Sequence, residues 1–243
     1  MTTFYLFGRG FNYSEDGPGN RLVLHLSGCS LRCPWCSNPE GKSRKDGEAV
    51  TEDDLLREIL AATPMMFSGG GVTFTGGEAT EQFGALSSIL PRLKEHGVSV
   101  CLETNGTHPR LAELFPLIDY LIMDCKHYDP EKHRAVIGVA PDTIYANLAA
   151  AGRQRDQLAV RIPLIGGFNE TTDDAAKFAA LFESLGIRDK MTLELLRYHT
   201  SGVEKYKKLG IPYTMTERAN VSEEQRREAE AVFTERGFRV IRS

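Results

Sequence analysis

The sequence predicts an α/β fold, on three observations. Short runs rich in apolar and β-branched residues alternate with amphipathic helical stretches, the pattern of parallel strands joined by right-handed helical crossovers. No Pro/Ser-rich linker, repeat or break in composition divides the 243 residues, so one domain spanning 1–243, with short extensions at either end, is expected. Polar or glycine-rich groups follow every run, and in such folds chemistry gathers at the C-terminal ends of the strands.

Six strands are expected, in order "RLVLHLS" (21–27), "GVTFTG" (71–76), "VSVCLET" (98–104), "YLIMDCK" (120–126), "LAVRIPL" (158–164) and "MTLELLRY" (191–198). A helix over 51–62 opens on Thr51, with Asp54 three residues later, and presents Leu55, Leu56, Ile59 and Leu60 on one face. Further helices are expected over 81–95, 142–153 and 172–185. The last of these shows Phe178, Leu181, Phe182 and Leu185 before Gly186 as a stop. A final helix starts at Ser222, where Gln225 completes a capping box, and ends at Gly237. The strand ends then carry, in turn, three cysteines, "GGE" (76–78), "ETNG" (103–106), Asp124 with Lys126, "GGFN" (166–169) and His199.

Composition excludes several classes without naming a function. Hydrophobic residues make up 41% and charged residues 26%, as in ordinary globular proteins. The net charge of −4 gives no global field for nucleic acid or anionic lipid, so neither partner is expected. The first twenty residues lack a basic start followed by an apolar run, and no stretch is long enough for a membrane span. Five cysteines, three of them in one loop, are unlike a secreted disulfide framework, and the expected compartment is the cytoplasm. "SGGG" (68–71) precedes a strand rather than opening a helix, so it is not a phosphate loop.

The cysteine loop "GCSLRCPWCSNPEG" (28–41) spaces its thiols C-x3-C-x2-C and admits three readings. A structural zinc site needs four ligands, usually as two separated pairs. Cys125 is a poor fourth, because it alternates with Asp124 and Lys126 and faces the helices if they face the rim. A thioredoxin-like pair uses Cys33 and Cys36 and leaves Cys29 unexplained. An iron–sulfur cluster takes all three thiolates and leaves one iron open to another ligand.

With Trp35 before its last cysteine, the loop resembles that of the radical S-adenosylmethionine enzymes. "DGPGNR" (16–21), "VTFTGGE" (72–78), "ETNG", "DCKHYDPEKHRAVIGV" (124–139), "RIPLIGGFNE" (161–170) and "LELLRYHTSG" (193–202) resemble, in order, the motifs of the glycyl radical enzyme activating enzymes. The ferredoxin-like insertion of many relatives is replaced by "KSRKDGEAVTEDD" (42–54), so the compact members of the family are the nearest in shape. Ala79, Asn20 and Gly166 depart from the residues usual at their positions. The resemblance implies a partial (β/α)6 barrel of the radical SAM type. It implies a [4Fe-4S] cluster on Cys29, Cys33 and Cys36, with S-adenosylmethionine on the open iron. Reductive cleavage would yield a 5'-deoxyadenosyl radical that abstracts hydrogen from a glycine of a partner protein, a glycyl radical enzyme. It further implies an electron donor such as flavodoxin or ferredoxin, and a monomer is expected.

A ligand with one ammonium and one carboxylate should meet both signs of charge. Gly76 and Gly77 allow close approach of backbone, and Glu78 can accept from the amino group. Lys126 can reach the carboxylate while Asp124, on the same strand face, serves a cation or the amino group. Glu103 and Asp124 could cage a monovalent cation. Arg161 and Glu194 lie within strands, where charge needs a partner: they pair with each other, or Arg161 meets the methionine carboxylate. By resemblance, Asn169 contacts ribose or methionine and His199 packs on the adenine. Cys101 reads as core packing and His25 as an ordinary strand histidine. Asp16 and Arg21 are expected to touch the partner's glycine loop. A radical enzyme acting on a small molecule, or a zinc-binding interaction module, are the alternatives.

Overall fold

The computed structural model describes residues 2–154 and 157–242. The chain divides into two compact units. Met1–Ser30, Asn38–Thr104 and Arg110–Ile122 form the first; Leu31–Ser37, Asn105–Pro109 and Met123–Ser243 form the second. Each unit draws on interleaved segments, so neither is a contiguous stretch of sequence.

The first unit contains β1 (Thr3–Tyr13), β2 (Asn20–Leu26), β3 (Glu48–Thr51), β4 (Gly71–Gly76) and β5 (Val100–Thr104), with helices α1 (Glu52–Ala62) and α2 (Phe83–Glu95). β2 and β4 run parallel, Arg21 beside Gly71 and Leu26 beside Gly76, and β5 continues parallel to β4. β1 pairs antiparallel with both β2 and β3. α1 begins at Thr51, whose hydroxyl accepts from the Asp54 amide. It buries Leu55, Leu56 and Ile59. Phe4 stacks on Phe74 at 6.4 Å, tying β1 to the parallel strands. β6 (Tyr120–Asp124) begins in this unit and ends in the second.

The second unit contains β7 (Leu158–Leu164), β8 (Thr192–Arg197) and β9 (Arg239–Ile241). Its helices are α3 (Pro130–Ile137), α4 (Asp142–Gln154), α5 (Thr172–Ser184), α6 (Val203–Lys208) and α7 (Glu223–Glu235). β7, β8 and β9 run parallel. Capping boxes open α5 at Thr171 and α7 at Ser222. Phe178, Phe182, Phe233 and Phe238 interlock with ring centroids 5.6–6.5 Å apart and form the apolar core between these helices.

Nine strands stand among the described residues where six were expected. The added ones are β1, β3 and β9, and two of these are only four and three residues long, too short to show a period. β1 hides its pattern because its register shifts between Leu6 and Gly8. The helix expected from residue 81 starts at Phe83, after a 3-10 turn over Ala79–Gln82.

Candidate active site

In the first unit β2 and β4 end side by side, and this register positions the Gly-Gly-Glu turn. The Gly77 amide donates to the Leu26 carbonyl at 2.9 Å and the Glu78 amide to the Gly28 carbonyl at 2.7 Å. Behind them, Gly28 donates to Gly41 at 2.8 Å and Cys29 to Lys42 at 3.2 Å. The Gly-Gly-Glu turn is therefore bonded to the residue immediately before Cys29. A Cβ on Gly76, whose φ is +124°, would stand 2.3 Å from the Leu26 nitrogen. One on Gly77 would stand 2.3 Å from the Gly41 oxygen. These glycines are needed first for the approach of the chain to itself.

Glu78 is 2% exposed. Its Oε1 accepts from the Thr80 amide at 2.9 Å, the Thr80 hydroxyl at 2.5 Å and the Thr104 hydroxyl at 2.6 Å. This carboxylate braces the turn and joins β4 to the end of β5. Glu103, one residue earlier, accepts from the Thr75 hydroxyl at 2.7 Å. Cys101 is wholly buried, as expected of core packing.

Arg21 overturns its expected role as a partner contact. It is 0% exposed. Its guanidinium donates to the Thr73 hydroxyl at 2.8 Å and to the carbonyls of Val72, Ser99 and Pro18 at 2.9–3.1 Å. Burial holds its pKa below the usual value. The strand pairing explains the error, because Asn20 begins β2 and the "DGPGN" turn closes the hairpin from β1 at the end away from the cysteines. Asp16 is half-buried there, accepting from the Asn12 amide through its carboxylate and from the Thr73 hydroxyl through its carbonyl. The unusual Asn20 is explained too, since its side chain donates to the Met65 carbonyl at 2.7 Å.

Residues Leu31–Ser37 of the cysteine loop belong to the second unit. The Cys36 amide turns back to the Cys33 carbonyl at 3.3 Å, and Arg32 is anchored to the Ile137 carbonyl at 2.9 Å. Between the two cysteines, Trp35 packs on Phe168 at 5.1 Å, so the loop rests on the segment that follows β7. Lys126 Nζ meets Asp124 Oδ2 at 2.6 Å. Arg161 Nε meets Glu194 Oε2 at 2.7 Å, and both side chains are largely buried. Asn169, expected to touch ligand, is instead 1% exposed. It accepts from the Ile165 amide at 2.8 Å and donates to the carbonyls of Pro163 at 2.9 Å and Lys126 at 3.1 Å. Both amide donors are occupied, so Asn169 holds the backbone that presents Lys126. Gly166 admits the Arg218 carbonyl, which would lie 2.1 Å from a Cβ. His199 is exposed after β8 and accepts from the Ser201 amide.

Four contributors escape the sequence reading. Thr80 and Thr104 fix Glu78; a threonine two residues after a turn carboxylate is a local signal, whereas Thr104 is not. His127 is fully buried, accepts from the Asp129 amide at Nδ1 and faces the Phe168 carbonyl at Nε2, 3.2 Å away. This fixes its Nε2–H tautomer and joins the loop after β6 to that after β7. Tyr206, on the buried side of α6, has its pKa pushed up to about 12, by burial first and then by Cys36 and Cys33.

The donor set fits an iron–sulfur cluster. Cys29, Cys33 and Cys36 are not engaged in disulfides, and soft thiolates suit iron–sulfur clusters and zinc alike. Among the described residues no three His, Cys, Asp or Glu side chains converge on a single metal-ion position. The profile of the Radical SAM superfamily matches residues 23–179, from within β2 into α5. The pyruvate formate-lyase-activating enzyme of Staphylococcus aureus is 37% identical over 211 residues, 82% of this chain and 83% of that one. A solved domain of the pyruvate-formate lyase-activating enzyme of Bacteroides vulgatus superposes with a TM-score of 0.57 at 25% identity, over 71% of this chain and 98% of that one. Streptococcus suis SuiB, solved with its precursor peptide SuiA, shares the fold with a TM-score of 0.68 at 18% identity, over 91% of this chain and 48% of its own.

The chain belongs to the radical SAM superfamily and, within it, to the family of the pyruvate formate-lyase-activating enzymes. It is an oxidoreductase with the partial barrel of that superfamily, and its cofactors are a [4Fe-4S] cluster and S-adenosylmethionine.

Proposed function

We propose that this enzyme activates a glycyl radical enzyme by removing a hydrogen atom from one glycine Cα of that partner. The observation that carries the proposal is the bonding of the Gly-Gly-Glu turn to Gly28, which fixes two family motifs against each other at the ends of β2 and β4. When bound, the cluster would supply the one electron that breaks the C5'–S bond of S-adenosylmethionine, releasing methionine and a 5'-deoxyadenosyl radical, which would take the glycine hydrogen to give 5'-deoxyadenosine and leave the unpaired electron on the partner's glycine.

The chain's own residues hold and orient. Cys29, Cys33 and Cys36 ligate the cluster in this reading, and Gly76 and Gly77 bring main chain to the amino-acid end of the ligand, with Glu78 bracing them. Lys126 offers its ammonium to the carboxylate, exchanging part of its contact with Asp124. Arg161, kept charged and oriented by Glu194, is a second cation for the same group. Glu103 and Asp124 remain candidate ligands of a monovalent cation, and His199 is exposed to lie against the adenine. No proton-transfer base is required, because a hydrogen atom moves. The electron comes from a flavodoxin or ferredoxin, and the enzyme works as a monomer in the cytoplasm, where thiols stay reduced. No helix among the described residues is long and apolar enough to cross a membrane.

The test is anaerobic incubation of the reconstituted enzyme, carrying about four irons per chain, with a glycyl radical enzyme, S-adenosylmethionine and dithionite. A glycine-centred radical on the partner and a comparable amount of 5'-deoxyadenosine are expected. 5'-Deoxyadenosine formed only when a small metabolite is added, with no radical on any glycyl radical enzyme, overturns the proposal in favour of a small-molecule substrate.

A further inference from the structure

The second unit carries a surface that hydrogen abstraction leaves unused. α6 sits against the cysteine loop: a Cβ on Gly202, at its entry, would stand 2.6 Å from the Cys36 carbonyl oxygen. Tyr206, in the middle of α6, is the buried residue of the helix. Tyr213 closes on Tyr206 edge-on at 4.9 Å and shares a 2.8 Å hydrogen bond with Tyr198. One layer of aromatic side chains therefore lies between the loop and the outer face of α6.

That outer face is cationic and partly apolar. With Tyr206 turned inward, Lys208 falls on the opposite side of the helix and Lys207 on its flank, about 100° per residue, and both are exposed. Leu209 and Ile211 beside them are 46% and 44% exposed. The helix holds three lysines against the single Glu204, in a chain whose net charge is −4. Exposed aliphatic residues rimmed by charge of one sign make a surface suited to a partner of the opposite sign.

We infer that this face docks a small acidic protein that carries one electron, and that it is where the enzyme's reductant binds. The inference rests on the radical SAM reading above. The reduced carrier loses one electron and the cluster gains it; no bond forms or breaks and no proton moves. The face suits this occupant because its charge complements an acidic carrier and because α6 enters directly against the cysteine loop at Cys36, where the electron must arrive.

The experiment compares the reconstituted enzyme with the double variant Lys207→Glu/Lys208→Glu, using a flavodoxin as probe. At low ionic strength the variant should bind oxidised flavodoxin more weakly in titration calorimetry. It should also lose about tenfold or more in kcat/KM for flavodoxin-driven S-adenosylmethionine cleavage. Both differences should shrink as salt is added, and the neutral variant Lys207→Gln/Lys208→Gln should fall between. Cleavage driven by dithionite should be unchanged, which separates a failure of docking from a failure of the activity itself. Unaltered flavodoxin binding and kinetics in the charge-reversed variant would overturn the inference. So would loss of glycyl radical formation under dithionite, which would assign the face to the glycyl radical enzyme instead.

Discussion

Glu78 and Lys126 show how two charged residues in one motif set divide into different kinds of work. Glu78 gathers three donors on one buried oxygen, whereas Lys126 contacts a partly exposed carboxylate that it can exchange. Glu78→Ala strands the Thr80 amide and the Thr104 hydroxyl away from water, at about 1–3 kcal/mol each. Urea unfolding should register that loss, while Lys126→Ala should leave the unfolding midpoint nearly unmoved. Lys126→Ala should instead weaken S-adenosylmethionine binding about 10- to 100-fold, the loss of one charge-assisted contact, with iron content intact. Equal effects of the two substitutions on both measurements would contradict this division. The sequence places Glu78 at a strand end and makes its glycines intelligible, but the Thr104 contact depends on the pairing of β4 with β5, which no local pattern encodes. Arg21 is the clearest case: a cation beside a Gly-Pro-Gly turn looks like a surface contact, and only the fold shows four oxygen acceptors converging on it.

Among elements, helices are the most legible because their ends are written locally. The caps at Thr51, Thr171 and Ser222 all stand where hydroxyl residues precede an apolar period. β3 and β9 are too short for periodicity, and they exist because a neighbouring strand offers them backbone partners. At the start of α5, burial disfavours the charge of Asp174, but hydrogen bonds from Thr171 and Tyr128 outweigh it and hold the carboxyl below its ordinary pKa. A depressed pKa stabilises the fold fully above the unfolded value of about 4, and that share is lost as pH falls through the folded value. Asp174→Asn should therefore be less stable than the parent from neutral pH down to about pH 5, with the gap closing below about pH 4. Thr171→Ala should cost about 1 kcal/mol, with little dependence on pH above that window. Urea midpoints measured across pH 3 to 7 check both, and a gap that widens on acidification would contradict the assignment.

At the scale of the molecule, function is more legible than topology. The order of seven short motifs along the chain identifies the family from sequence alone, and the S. aureus relative matches over 82% of the chain. The division into two interleaved units is not legible, because no linker or composition break accompanies it. The cysteine motif itself is shared between them, Cys29 in the first unit and Cys33 and Cys36 in the second. The central claim is that the hydrogen comes from a partner's glycine, and isotope transfer addresses it most directly. A glycyl radical enzyme prepared with α-deuterated glycine is incubated anaerobically with the reconstituted enzyme, dithionite and S-adenosylmethionine, and the 5'-deoxyadenosine is analysed by mass spectrometry. The account predicts about one deuterium in each 5'-deoxyadenosine formed, in proportion to the glycyl radical; 5'-deoxyadenosine without deuterium would contradict it.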